Sequence, residues 1–542
     1  MDRRYLFALL ASAVAASIPA AGSAQLLGAV GPNMDIEWAQ GPDEAPTERP
    51  PNVVLILADD LGWNDITLNG GIAGGTVPTP HIDSLARDGA NFRNGYSACG
   101  TCAPSRAAIL SGRYPTRFGF EFTPTPGQML PMMARMAEAA GADPPLVTHF
   151  DEHESIPFQE MGMPTEEISL AETLGAAGYY TAHIGKWHLG MANGMAPQDQ
   201  GFDDSLLMAS GLYLPENEPN VVNSKPDFDP IDRFLWMNMR HAASFNGSPP
   251  FAPRGYITDY YTDEAIKIIE ANKNRPFFLY LAHWAVHTPL QATTEDFEAV
   301  AHIEDHIERV YAAMIRSLDR SVGRVLAALE EHELDENTLV VFTSDNGGAG
   351  YIGLSDINKP YRGWKITFFE GGVHVPFLMR WPGRIPSGTV VDAPVHHFDV
   401  YATAAAAASA AMPEDRPMDG ADLTPFAAGT APDGSRPHDK LFWRGGHYQV
   451  VIADGWKLQR ADRPDTVCLF DLTNDPTEQI EQVNVSHEHL QRVAEMHALL
   501  DAHNAEQAEP LWNALLESPI FIDKTRRETP DPATDEYVYW PN

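Results

Sequence analysis

The stretch Asn52-Val-Val-Leu-Ile-Leu-Ala58-Asp59-Asp60 decides the fold. Val53 to Ala58 is a continuous apolar run, the pattern of a strand buried on both faces, as in a parallel sheet covered by helices. The run stops abruptly at two carboxylates. Outward from it, similar runs recur at 179–184, 277–282, 338–342 and 375–379. Helical spacing separates them. Tyr261, Ala265, Ile268 and Ile269 form one stripe over 258–272, and apolar residues recur at three- and four-residue steps over 307–329. Shorter helices are predicted at 79–89, 168–177 and 401–412. Strand and helix alternate, so the fold class is α/β, a large, mostly parallel sheet sandwiched by helices.

Beyond about residue 435 the texture changes. Short strands at 441–443, 448–453, 456–458 and 468–472, separated by Gly or Asp-Pro turns, and a helix at 488–503 predict a small antiparallel α+β subdomain. Residues 121–165 and 191–255 show no clear period and read as surface excursions that shape substrate choice. The tail from Glu517 carries no pattern. The start, Met1-Asp-Arg-Arg-Tyr-Leu-Phe-Ala-Leu-Leu, has the basic and apolar regions of a signal peptide, with small residues at Gly22-Ser-Ala24. That run is broken by Pro19 and is shorter than the roughly 20 residues of a membrane span. The division is therefore 1–24 signal peptide, 25–50 leader, 51–435 catalytic domain and 436–542 C-terminal subdomain and tail, in a periplasmic or secreted protein without a membrane anchor.

The chain has 542 residues, 37 basic and 74 acidic, for a net charge of −37. That charge argues against nucleic acid or an anionic membrane as partner. An anionic substrate needs a local cationic pocket. Three cysteines do not make a disulfide framework.

The chemistry centres on Cys99-Gly-Thr-Cys102-Ala-Pro-Ser-Arg106-Ala-Ala-Ile-Leu-Ser-Gly-Arg113. Pro104 suits a first helical turn and Gly112 can end the helix, so Cys102 sits where the helix begins, in a position that lowers a thiol's pKa. A buried structural Cys and a C-x-x-C redox pair are two readings of this stretch. Asp59, Asp60, Asp345 and Asn346 follow two core strands, at the edge where open α/β sheets hold ligands. Such hard oxygen donors suit Ca²⁺ or Mg²⁺. Lys186 and His188 follow another strand, and Lys365 stands in a Gly- and aromatic-rich loop ending at Glu370. His283 and His287 are four apart but lack a zinc motif.

The order of Leu-Ala-Asp59-Asp60-Leu-Gly-Trp, Cys102-x-Pro-Ser-Arg106 with Leu110-x-Gly112-Arg113, Gly-Lys186-Trp-His188-Leu-Gly, Val-His287-x-Pro, Ser-Asp345-Asn346-Gly-Gly and Lys365 followed by Glu370-Gly-Gly resembles that of the type I, formylglycine-dependent sulfatases of the alkaline-phosphatase-like superfamily. The resemblance covers roughly residues 50 to 480. It implies hydrolysis of sulfate monoesters of a glycan or small aryl compound, with Cys102 converted to formylglycine (3-oxoalanine) by a formylglycine-generating enzyme. Asp59, Asp60, Asp345 and Asn346 would bind one Ca²⁺ with an oxygen of residue 102. Arg106 would hold the modified residue, and Lys186 and Lys365 the sulfate oxygens. His188 would assist sulfate release, and His287 would protonate the leaving alcohol. A phosphonate monoester or phosphodiester hydrolase of the same superfamily, a thiol-disulfide oxidoreductase through Cys99 and Cys102, and an inactive Ca²⁺-dependent glycan-binding protein are the alternatives.

Overall fold

The structure is a computed structural model that describes residues 28–479 and 484–542. The segment read as a signal peptide lies outside the described residues. The central sheet has nine strands: β1 (Asn52–Ala58), β2 (Ala90–Phe92), β3 (Tyr180–Gly185), β4 (Asp204–Gly211), β5 (His241–Phe245), β6 (Phe277–Ala282), β7 (Thr338–Ser344), β8 (Phe377–Arg380) and β9 (Thr389–Val391). Their order is β9-β2-β8-β7-β1-β6-β3-β4-β5. The five strands from β7 to β4 are mutually parallel, whereas β8 and β5 run antiparallel to their inner neighbours.

Strand β1 is the fifth of the nine strands, at the middle of the sheet, and is buried throughout. Val54, Ile56 and Ala58 join the core on one face, Val53, Leu55 and Leu57 the core on the other. This two-faced burial is why the run shows no alternation. The covering layers include the helices α1 (Cys102–Ser111), α2 (Leu170–Ala176), α3 (Ile257–Ala271), α4 (His306–Glu331) and α5 (Asp399–Ala407). Tyr261 and Ile268 of α3 and Met314, Leu318 and Val322 of α4 fill the first core. Ala107 and Leu110 of α1, Leu174 of α2 and Tyr401 and Ala404 of α5 fill the second. The sheet is thus a sandwich filling between two helical layers.

Residues 28–50 pack on this body, with Trp38 buried and its indole N–H donating to Glu264 at 2.8 Å. The two stretches read as irregular hold regular elements: β4 and β5 extend the main sheet, and Met129–Ala140 and Pro230–Asn238 are helices. The patternless tail forms strands Leu516–Phe521 and Tyr537–Pro541, the first pairing with Val147–Thr148. Four antiparallel strands, Lys440–Gly445, Tyr448–Ala453, Trp456–Asp462 and Asp465–Asp471, form the small C-terminal sheet, against which helix Leu490–Asn504 packs. Trp443 of that sheet donates to the Ser97 carbonyl at 2.8 Å, so the subdomain touches the chain just before Cys99.

Candidate active site

Strand register builds the site. Ala58 pairs with Ser344, so Asp59-Asp60 and Asp345-Asn346 leave the sheet side by side. The Asp345 N–H donates to the Ala58 carbonyl at 3.1 Å and the Asp60 N–H to Asp345 Oδ1 at 3.2 Å. On the other side of β1, the Lys186 N–H donates to the Ala282 carbonyl and the Val286 N–H to the Asp59 carbonyl, both at 2.8 Å. Four loops therefore converge at the carboxyl ends of parallel strands.

Helix α1 points its first residue, Cys102, into this convergence. Gly112 ends it in the left-handed conformation, φ 69°, as a glycine can without a steric cost. Cys102 Sγ lies 3.7 Å from Asp59 Oδ1 and 3.9 Å from Asp60 Oδ1. One turn on, Arg106 donates through Nε and Nη2 to Asp345 Oδ2 at 2.9 and 2.8 Å and through Nη1 to the Lys186 carbonyl. The Lys186 ammonium lies 2.7 Å from Asp59 Oδ2, and that of Lys365 lies 2.6 Å from Asp60 Oδ1. All the predicted residues except His188 are thus linked by hydrogen bonds and ion pairs or by the cluster of Asp59, Asp60, Cys102 and His287, whose donor atoms lie within 4.8 Å of one another. His188 stands two residues from Lys186 with φ 66°, a strained backbone for a non-glycine residue, and its Nδ1 is buried without a partner.

Electrostatics divides these groups. Burial alone would raise Asp60, but Lys365 and Lys186 outweigh it and hold its carboxyl below the usual range. Arg106 and Lys186 do the same for Asp345. Burial and the neighbouring Asp345 charge push Asp59 up to about 7. Burial lowers His188 and His287 well below their ordinary value, helped at His188 by Lys186 and at His287 by Lys365. The sequence expectation for the thiol fails: Cys102 is shifted upward, because burial and the Asp345 charge outweigh the lysines. Burial also raises Cys99, to about 11. Both thiols are free, and neither carries the lowered pKa of a redox cysteine.

The donor set fits a hard divalent cation. Asp59, Asp60 and Asp345 offer carboxylate oxygens, and the buried Asn346 Oδ1 has no hydrogen-bond partner, although its Nδ2 donates to Asp60 at 2.8 Å. His283 is not part of the site; its Nε2 meets the Ser321 hydroxyl in the core at 2.9 Å. Two residues escaped the sequence reading. The Tyr351 hydroxyl donates to Asp60 Oδ2 at 2.9 Å and accepts from Lys365 at 3.2 Å. The Trp284 ring stacks on His287 with centroids 3.9 Å apart and lies 4.8 Å from the Lys186 ammonium. Neither sits in a periodic segment, so only their nearness in the chain to Asn346 and His287 could have flagged them.

Comparison with known proteins gives the family. The Sulfatase family model matches residues 51–410, and a model described as N-sulphoglucosamine sulphohydrolase, C-terminal, matches 363–506. The chain belongs to the sulfatase family, enzymes that hydrolyse sulfuric esters of sugars and aryl compounds. It is similar to the N-acetylgalactosamine-6-sulfatase of Canis lupus familiaris, 34% identical over 424 residues that cover 77% of this chain and 73% of the relative. It is also similar to the steryl-sulfatase of Mus musculus, 31% identical and covering 75% and 70% of the two chains. Among solved structures it resembles Ps i-CgsB in complex with k-i-k-neocarrahexaose, with a TM-score of 0.70, 29% identity, and coverage of 86% of this chain and 95% of that one.

Proposed function

We propose that this sulfatase removes sulfate from a sulfated carbohydrate, using formylglycine made from Cys102 as nucleophile and a Ca²⁺ held by Asp59, Asp60, Asp345 and Asn346. The observation that carries the reading is the approach of Cys102 Sγ to Asp59 and Asp60 at 3.7 and 3.9 Å, at the start of a helix backed by Arg106. When bound, the ion supplies positive charge that orients and polarises the ester and the nucleophilic oxygen.

The chain's own residues then divide the work. Three carboxylates face three fixed cations, Arg106, Lys186 and Lys365, so the addition of a divalent ion makes the pocket positive inside a protein of charge −37. That field draws in a sulfate ester and neutralises charge as the S–O bond breaks. Arg106 orients residue 102 by anchoring Asp345 on one side and the Lys186 carbonyl on the other. His287 Nδ1–H donates to the Thr288 carbonyl at 2.6 Å, so Nε2 is the ring atom left to face the leaving alcohol, and it must take up a proton there before it can pass one on. Trp284 fixes the ring plane and keeps water from one face. His188, held neutral by burial and the nearby cations, is suited to take up the proton released when sulfate departs.

Relatives that act on N-acetylgalactosamine sulfate or bind neocarrahexaose favour a glycan of the galactose series. A basic, apolar start supports export to the periplasm or beyond, and no helix among the described residues is long and apolar enough to cross a membrane. The test is co-expression with a formylglycine-generating enzyme, mass spectrometry of the peptide carrying residue 102, and sulfate release from carrageenan oligosaccharides, N-acetylgalactosamine 6-sulfate and 4-nitrophenyl sulfate. Formylglycine with release from a sugar supports the proposal. An intact thiol in an active enzyme, or release from the aryl ester alone, overturns it.

A further inference from the structure

The turn that carries His287 is held from two sides. Toward the carboxylates, the Asp59 N–H donates to the Ala285 carbonyl at 2.9 Å and the Val286 N–H to the Asp59 carbonyl at 2.8 Å. Away from them, the turn meets the end of strand β4. The Trp284 indole N–H donates to the Gly211 carbonyl at 2.7 Å, and a Cβ on Gly211 would lie 2.9 Å from that indole ring. Two residues on, the Tyr213 hydroxyl shares its proton between the Trp284 carbonyl at 2.7 Å and the His287 carbonyl at 2.9 Å. Among the described residues no other group donates to the His287 carbonyl, whereas the Trp284 carbonyl also receives the His287 N–H at 2.9 Å. The phenol thus closes the turn at the residue that bears the imidazole.

Tyr213 is itself fixed. It is fully buried, its N–H donates to Gln291 Oε1 at 2.8 Å, and its ring stacks on Tyr256 with centroids 5.3 Å apart. The Tyr256 hydroxyl in turn donates to the Gln291 carbonyl at 2.7 Å. Burial raises the Tyr213 phenol well above its ordinary value, which keeps it protonated and donating. The imidazole, by contrast, takes its orientation from within the turn, from the Thr288 carbonyl on Nδ1 and the Trp284 ring against its face. A shift of the turn therefore carries the ring with it.

Resting on the proposed role of His287, we propose that Tyr213 is a positioning residue, whose hydroxyl sets where His287 Nε2 stands relative to the leaving oxygen. Removing the hydroxyl leaves a buried carbonyl without a donor, and the turn relaxes to find one. The consequence grows with the leaving group's need for a proton. An unactivated phenolate or a sugar alkoxide leaves poorly unless protonated, whereas 4-nitrophenolate leaves readily, and a displacement of about 1 Å can cost on the order of 10²-fold where alignment matters.

The test compares Tyr213→Phe, His287→Gln and the double variant with the parent on aryl sulfates running from 4-nitrophenyl to 4-methoxyphenyl. Tyr213→Phe should lower kcat about tenfold or more for the 4-methoxyphenyl ester and less than about threefold for the 4-nitrophenyl ester, with KM little moved. In the double variant the phenol should no longer matter, so kcat should match that of His287→Gln within about twofold. Gly211→Ala, which presses on Trp284 from the same strand end, should show the same dependence on leaving group. A further readout needs no turnover: in protein carrying isotope-labelled histidine, the imidazole resonances that vanish in His287→Gln should shift in Tyr213→Phe. Equal losses on all esters, additive losses in the double variant, or unmoved His287 resonances would overturn the assignment. A His287→Gln variant without leaving-group dependence counts instead against the proton-donor role of His287, and the double variant and the resonances still decide the positioning.

Discussion

Lys457, on the small C-terminal sheet, lies 2.8 Å from Glu370 of the Lys365 loop, and both side chains are buried. The same ammonium lies 3.0 Å from Glu478, and Glu370 also accepts from the Tyr96 hydroxyl at 3.0 Å and meets His374 Nδ1 at 2.9 Å. Burial would raise Glu370, but Lys457 outweighs it and holds the carboxyl at about 2. Removing the cation strands this charge. Lys457→Met is expected to cost about 3–5 kcal/mol, and combining it with Glu370→Gln should recover part of that cost. Urea unfolding of the single and double variants measures both.

Lys186 and Lys365 each bring a cation to the place assigned to sulfate. Lys186→Met and Lys365→Met should lower kcat/KM for 4-nitrophenyl sulfate by about 10²–10³-fold, the usual effect of losing one fixed stabiliser of developing charge. Thermal unfolding should show both chains folded, which separates lost charge from lost structure.

If the donor set holds Ca²⁺, EGTA should lower the Tm and abolish sulfate release, and excess Ca²⁺ should restore both. An ion at 100 times its dissociation constant stabilises the fold by about 2.7 kcal/mol. The difference in Tm between chelated and repleted protein, repeated for Asn346→Ala, checks whether the unpartnered Asn346 oxygen contributes.

Gly347 allows a close approach: a Cβ there would lie 1.9 Å from the Gly371 carbonyl oxygen, and the Gly347 N–H donates to Gly372 at 2.9 Å. Backbone cannot yield as a flexible side chain does. Gly347→Ala should therefore separate the Asn346 turn from the Glu370-Gly-Gly turn and lower Ca²⁺ affinity and activity together. Calorimetric Ca²⁺ titration of the variant tests it.

Stability should also fall with acid. Burial pushes His183 and His283 down to about 3 from an ordinary 6.5, so the fold keeps them neutral while the unfolded chain takes up protons. The unfolded state therefore gains protons as pH drops from about 6.5 toward 3, and each histidine withdraws up to about 1.4 kcal/mol per pH unit. His283→Gln should flatten the loss by that slope in urea midpoints measured across the window.

Which parts of the fold were legible follows from burial. Strand β1 announced itself because both faces are covered, and the carboxylates after β1 and β7 could be assigned to one edge because the polarity breaks there abruptly. Strand β5, His-Ala-Ala-Ser-Phe, was missed because its small, weakly β-forming residues give neither an apolar run nor alternation. Helix Met129–Ala140 was missed because it contains Pro131 and starts without a side-chain cap. At the site, residue types and order identified the donors and cations, but Tyr351 and Trp284 enter through loop paths that no period encodes. The upward shift of the Cys102 thiol was illegible for another reason: it depends on how deeply the loops bury the helix start, which local spacing does not record.

The ion pair that ties Glu370 to Lys457 joins the Lys365 loop to a part of the chain that follows it by some distance. Cys102 precedes Lys457 in the chain, so if Cys102 is converted to formylglycine as proposed, a modifying enzyme would meet it before the cation that completes the Lys365 loop is in place. On that reading, docking of the C-terminal sheet would seal the buried Cys102, and the sheet would act as the latch on the proposed maturation step.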